Sequence, residues 1–247
     1  MQRRTELLLG VDNHGKIQQA KVLIFGVGGV GSWCAESLVR SGIRNLTIVD
    51  SDRICITNCN RQLMATSKTF GQVKVEALRD RLLDINPNAN IVCLQKFYEA
   101  DTADSFHMEE YDYIVDAIDS LKEKADLIVR ATALPKHITF ISSMGAALRR
   151  DPFMVRKAEF WKIKGDPLAR ALRHKFKHSK VFPSRKFQCV YSEETPMHNL
   201  GVETACGTDS CLCSTSKAQI NGSLCHITAT FGNAIAGMII NHIIDEK

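Results

Sequence analysis

Gly26-Val-Gly28-Gly29-Val-Gly31 spaces its glycines as G-x-G-x-x-G, between a short apolar run and a helical pattern. Such a loop brings bare backbone amides against a phosphate or a ribose. Gly26 serves the tight turn, Gly28 the close approach of a ligand, and Gly31 the packing of the next helix on the sheet. Asp50 stands nineteen residues after Gly31, at the end of the next apolar run. A carboxylate there accepts bonds from ribose hydroxyls. The loop alone fits a dinucleotide or ATP equally well. Three later segments favour ATP: Asn58-Cys-Asn60-Arg61-Gln62, Gly71-Gln-Val-Lys74 and Asp116-Ala-Ile-Asp119. Hydride transfer has no use for Arg61 and Lys74 in such places. Adenylation does, because cations must hold a triphosphate and stabilise the charge moving onto pyrophosphate. Asp119 suits a Mg2+ that bridges phosphate oxygens.

These residues need a scaffold that gathers strand ends, and the chain supplies one. Lys21–Phe25, Leu46–Asp50, Asn90–Leu94, Tyr113–Ile118 and His137–Ile141 read as strands. Helices are expected from about Val30 to Ser41, Gly71 to Ile85 and Leu121 to Leu134. Asn86-Pro87 closes the second, since the residue before proline leaves the helical region. Strand–helix alternation predicts an α/β fold, a doubly wound, mostly parallel, Rossmann-like sheet. The rim at the carboxyl ends of such strands is where ligands bind. After Gly145 the rhythm changes to a C-terminal extension of mixed strands and helices. Phe153–Phe160 and Lys186–Tyr191 read as strands, and Asp166 to Lys177 as an amphipathic helix. Pro196 to Ser223, rich in Ser, Thr, Gly and Asn, is expected to be a long, mobile excursion. The apolar stretch Phe231–Ile244 is too short and too polar to span a bilayer and reads as a core helix. The expected organisation is one domain over 1–247: a nucleotide-binding core, 1–145, and a substrate-facing extension with its closing helix, 146–247.

Charge is unevenly spread over the 247 residues. The net balance is +5, but Arg149 to Lys186 holds thirteen Lys/Arg against three acids, and the rest of the chain is mildly acidic. A ten-charge excess within 38 residues steers phosphates and points to a polyanionic partner, with attraction that salt weakens. Composition excludes a mostly disordered or collagen-like chain. Nine cysteines, an odd and sparse set, exclude a disulfide scaffold. No basic-then-apolar leader opens the sequence, so a reducing, cytoplasmic setting away from membranes is the expectation.

The segments Gly26–Gly31, Asp50, Asn58–Gln62, Lys74 and Asp116–Asp119 together resemble the ubiquitin-activating-like (ThiF/MoeB-type) adenylating enzymes. The resemblance implies that Gly26, Gly28, Gly29, Gly31, Asp50, Asp52, Asn58, Arg61, Gln62 and Lys74 hold ATP. It implies that Asp119 binds Mg2+, and that Arg61, Lys74, Asp119 and Arg4 serve catalysis. Arg4 matches an arginine that reaches across a homodimer to the partner's ATP, in the manner of an arginine finger. A narrower similarity, to the tRNA threonylcarbamoyladenosine dehydratases, rests on Gly165-Asp-Pro-Leu-Ala-Arg-Ala-Leu-Arg173, Asp151-Pro152, Val190-Tyr-Ser-Glu193 and Ala229-Thr-Phe-Gly232. It implies ATP-dependent dehydration, a cyclisation, of threonylcarbamoyladenosine in tRNA through adenylation of its carboxylate. The tRNA would lie on Arg149, Arg150, Arg170, Arg173, Lys175 and Lys177. The resemblance also admits a monovalent cation and a cysteine desulfurase or other sulfur-acceptor partner.

An adenylyltransferase for the C-terminal carboxylate of a ubiquitin-like sulfur carrier is the competing reading. Several such activators hold zinc on paired C-x-x-C motifs, and this chain has none; Cys206, Cys211, Cys213 and Cys225 are spaced otherwise, so no zinc is expected. Nothing marks a thioester-forming cysteine. An NAD-dependent redox enzyme and a non-catalytic tRNA-binding scaffold stand further back.

Overall fold

The computed structural model describes residues 2–200 and 221–245. Seven strands form one sheet: β1 (Lys21–Phe25), β2 (Asn45–Val49), β3 (Asn90–Leu94), β4 (Tyr113–Asp116), β5 (Thr139–Ser143), β6 (Val155–Glu159) and β7 (Gln188–Ser192). Their order is β3-β2-β1-β4-β5-β7-β6. Only β6 runs antiparallel, on the outer edge of β7. The chain winds outward from β1 through β2 to β3, then returns to place β4 on the other side of β1. The reversal opens a crevice at the carboxyl ends of β1 and β4, the switch point of an open α/β sheet.

Among the described residues six α-helices flank the sheet: α1 (Arg3–Gln19), α2 (Gly31–Ser41), α3 (Lys74–Ile85), α4 (Leu121–Ala133), α5 (Pro167–Ser179) and α6 (Cys225–Asp245). Strand β1 is apolar without alternation because both of its faces are covered. Val22 and Ile24 belong to the core shared with α2 and α6, while Leu23 and Phe25 belong to the core on the opposite face, where Phe25 meets Tyr98 and Phe106 edge-on. The α5 start is written locally: Asp166 accepts from Ala169 N–H at 2.8 Å, and Pro167 follows at the first helical position.

The expected strands and central helices are present, with ends displaced by a few residues. Helix α3 begins at Lys74 rather than Gly71, because Gly71 takes φ +77 in the preceding turn. Helix α1 is an addition to the sequence reading. Gly10, at φ 80, kinks it, and exposed Leu7, Leu8 and Val11 break the amphipathic period that would have marked it. The last helix is longer than expected, and at 21 residues is long and apolar enough to cross a membrane. What puts it in the interior is packing: Ile227, Phe231, Ile235 and Ile239 are fully buried. Gly232 lets it cross α2 closely, since a Cβ there would lie 2.5 Å from the Val30 carbonyl oxygen. Most of the excursion expected over Pro196–Ser223, with Cys206, Cys211 and Cys213, lies outside the described residues.

Candidate active site

The glycine loop leaves β1 against the loop that leaves β4. Gly26 adopts φ +84, and a Cβ on it would sit 2.8 Å from the Ala117 carbonyl oxygen. Only glycine meets both conditions. Gly28 is the open position: a Cβ there would meet only Gln62 Nε2, at 3.8 Å. Gln62 is buried, and its Oε1 has no hydrogen-bond partner among the described residues. A buried orphan acceptor beside a bare glycine backbone fits a bound ligand that donates to it.

Asp50, just past β2, is tied to the same loop. Its Oδ2 accepts from Val27 N–H at 2.9 Å and its Oδ1 from Asp52 N–H at 3.0 Å. Lys74, first residue of α3, reaches back to both carboxylates, 2.8 Å from Asp52 Oδ2 and 3.8 Å from Asp50 Oδ1. Burial opposes the Lys74 charge, but Asp50 and Asp52, with Asp119 further off, hold its pKa above the usual lysine range. Burial pushes the Asp50 carboxyl upward, and Lys74 pulls it back. Lys74 is therefore a fixed cation at the rim, with Asp50, Asp52 and Asp119 around it.

Arg61 is anchored by Thr57 and Asn60: its Nη1 donates to Thr57 O at 3.0 Å and Asn60 Oδ1 at 2.8 Å. Its carbonyl accepts from Trp33 Nε1 of α2 at 3.0 Å. Asn58, expected from the resemblance to hold ATP, has a structural duty as well. Its Oδ1 accepts from Cys55 N–H at 3.0 Å and closes the turn that presents Arg61 and Gln62.

Asp119 is exposed on the loop after β4. Beneath that loop lies a network absent from the sequence reading. Lys124 and Asp116 pair at 2.7 Å with neither side chain exposed. Lys124 Nζ also donates to Ile118 O at 2.9 Å, Ile118 N–H to Asp116 Oδ1 at 3.1 Å, and Ser142 Oγ to Asp116 Oδ2 at 2.6 Å. The network ties β4, β5 and α4 to the backbone just before Asp119. Its signal was legible: Lys124 shares an inward helical face with Leu127, Ile128 and Ala131. Among the described residues no cluster of His, Cys, Asp or Glu could hold a metal alone. Asp119 would hold a Mg2+ only together with ligands from elsewhere, such as a bound phosphate.

Arg4 is not gathered into this rim. It is exposed on α1, and no hydrogen bond or ion pair joins it to Asp50, Lys74 or Asp119. In the second half, Arg150, Arg170 and Lys177 are exposed, and Lys175 is half-buried. Arg173 is half-buried over the Phe160 ring, 5.7 Å from its centroid, and donates to Phe160 O. Arg149 corrects the expected tRNA surface. It is 2% exposed, with Nη2 3.6 Å from buried Asp166 Oδ2, so it cannot lie against a polyanion outside. Burial lowers its pKa, with Asp166 opposing.

The ThiF family matches residues 2–245. A tRNA threonylcarbamoyladenosine dehydratase of Bacillus subtilis (strain 168) is 38% identical over 194 residues, 78% of this chain and 75% of the relative. One of Haemophilus influenzae is 35% identical over 241 residues, 96% of this chain and 90% of the relative. The solved structure of E. coli tRNA N6-threonylcarbamoyladenosine dehydratase, TcdA, in complex with ATP is similar at a TM-score of 0.82 and 29% identity, covering 98% of this chain and 93% of that one. A whole-chain match, over the same sheet whose rim gathers Gly26, Asp50, Lys74 and Asp119, makes this chain a member of the ThiF family.

Proposed function

We propose that the protein is an ATP-dependent tRNA threonylcarbamoyladenosine dehydratase. The observation that carries the reading is the conjunction of an adenylation-type rim with relatives of that activity along most of the chain. ATP occupies the crevice, its ribose at Asp50 and its phosphates near Gly28, Arg61 and Lys74. Lys74 is already held as a cation by its carboxylate neighbours, so its charge is in place at the rim before phosphate arrives. Mg2+ at Asp119 supplies further charge neutralisation when bound.

A threonyl carboxylate oxygen of the tRNA bonds to the α-phosphorus, and the bond from that phosphorus to pyrophosphate breaks. The neighbouring ureido group then attacks the activated carbonyl. AMP departs with the carboxylate oxygen, and a proton is released. The second step is intramolecular, so positioning does the work that a protein nucleophile would otherwise do. Burial pushes the Cys34 and Cys189 thiols well above their ordinary range, which makes them poor nucleophiles.

The tRNA lies on the exposed cations of α5 and its flanks, chiefly Arg150, Arg170 and Lys177. The working form is a homodimer in which Arg4 reaches the partner's ATP. Exposed Leu7, Leu8 and Val11 on the same helix supply an apolar surface for a second copy. The site of action is the cytoplasm, where tRNA and ATP coexist.

The test is the purified protein with ATP, Mg2+ and threonylcarbamoyladenosine-containing tRNA. Nucleoside mass spectrometry should show loss of one water, with stoichiometric AMP and pyrophosphate. An unchanged nucleoside, with pyrophosphate exchange driven by a Gly-Gly-terminated carrier instead, would establish the carrier-protein alternative.

A further inference from the structure

Two aromatic rings beside α5 are left half in water. Trp161 is 39% exposed and Phe182 49%. Their centroids are 6.4 Å apart with planes inclined by 40°. The tryptophan is seated firmly: its ring meets Phe160 at 5.1 Å edge-on and Phe176 at 6.5 Å. Its backbone N–H donates to Glu159 Oε1 at 3.2 Å. One side of the ring is thus held by the core while the rest faces solvent. Phe182 follows the left-handed residue Lys180, φ 57, that ends α5.

The surroundings have one sign. Residues 160–186 carry nine Lys/Arg and a single acid, Asp166, which is fully buried. Lys162 and Lys164 adjoin Trp161, Lys177 and Lys180 precede Phe182, and all four are exposed. Protein interface cores are depleted of lysine, and a second copy of this face would set like charges together. Unpaired RNA has the complementary chemistry: apolar base faces for aromatic rings, and phosphates on either side for lysines.

We propose that Trp161 and Phe182 form a stacking platform for an unpaired base of the tRNA, with the exposed lysines on the adjoining phosphates. This rests on the tRNA reading above and deepens it. A base left unpaired in the tRNA regains contact area on an exposed ring.

Tryptophan fluorescence tests this directly, since the chain has only Trp33 and Trp161. The full chain is titrated with the tRNA, a hairpin carrying an unpaired loop, and a fully paired RNA duplex. The tRNA and the hairpin should quench emission, the duplex should not, and the quench should vanish in Trp161→Leu. That variant should bind tRNA about tenfold more weakly with an unchanged salt slope, because the ring carries no charge. Lys162→Glu with Lys164→Glu should flatten the slope instead. Trp161→Phe should restore most of the affinity. Phe182→Ser, at the more exposed ring, should weaken binding too and serves if Trp161→Leu fails to fold.

Unchanged tRNA affinity in both ring variants would overturn the platform, as would equal quenching by the duplex. So would quenching by phosphatidylserine–phosphatidylcholine vesicles but not by tRNA, or self-association lost in Trp161→Leu with tRNA binding intact. Dehydration by the wild-type protein is read separately. If it fails while quenching persists, the assigned reaction falls and the platform stands.

Discussion

Lys124 brings a charge into a place where charge is costly. It is completely buried, and what keeps it there is Asp116 at 2.7 Å and the Ile118 carbonyl at 2.9 Å. Deleting one partner of a buried pair strands the other, at about 3–5 kcal/mol. Lys124→Met should therefore destabilise the protein by about that amount in urea unfolding. Lys124→Met with Asp116→Asn should recover much of the loss, because no unpaired charge remains. A double variant as unstable as the single would mean that Lys124 acts through packing alone. Asp119 is the opposite case. It is exposed, so Asp119→Ala should unfold like the wild type and still lose ATP-dependent turnover. Near-normal turnover with unchanged Mg2+ dependence would remove Asp119 from the machinery.

Helices α2 and α6 show how an element, rather than a residue, holds the site. Helix α2 begins at Gly31, the last glycine of the loop after β1, and α6 presses on that beginning. A Cβ at Gly232 would lie 2.5 Å from Val30 O and 2.8 Å from Cys34 N, both backbone atoms that cannot yield separately. Gly237, one and a half turns further along α6, faces open space. Gly232→Ala should cost about 1–3 kcal/mol by overpacking. Gly237→Ala should instead stabilise by up to about 1 kcal/mol, since alanine is the better helix former. Thermal melts of the two variants shifting in the same direction would contradict the close crossing. Gly232→Ala should also weaken ATP binding, because the displaced α2 carries the glycine loop with it.

At the scale of the molecule, the +10 segment is not a uniformly basic face. Arg149 points inward to Asp166, and Arg185 donates to the carbonyls of Ala131, Leu134, Pro135 and Ile138 behind α4. The outward cations are those of α5 and its neighbours. Charge reversal at Arg170 and Lys177 should weaken tRNA binding and flatten its salt dependence while ATP affinity stays nearly constant. A fall in ATP affinity with tRNA binding intact would assign α5 to the nucleotide site or to a subunit contact. The proposed dimer has its own test. Arg4→Ala and Lys74→Ala subunits, each inactive alone, should regain activity when mixed, because one site of the mixed dimer is whole. An arginine finger is worth about 10³–10⁵ in rate, so the regained activity should stand well clear of background. No recovery despite subunit exchange would count against Arg4 acting in trans.

Local chemistry determined much of this protein before any tertiary contact was known. Continuous apolar runs ending in Gly26, Asp50 and Asp116 announce strands buried on both faces and a polar rim at one end. The glycine spacing and the acid nineteen residues later announce a nucleotide fold, because both depend on neighbours along the chain, while the choice of ATP rests on the later segments around Arg61, Lys74 and Asp119. Tertiary structure decided the remainder, wherever the partner is remote in sequence. Whether a cation faces water or the interior is not written in its own segment. Arg149 and Arg150 are adjacent, yet one is buried and the other exposed. Lys74 meets Asp50 and Asp52 only because the turn before α3 folds back on β2, with Lys74 N–H donating to Asp52 O at 3.0 Å. Helix α1 leaves Leu7, Leu8 and Val11 exposed among the described residues, so the period that announces a buried helical face was missing from the sequence.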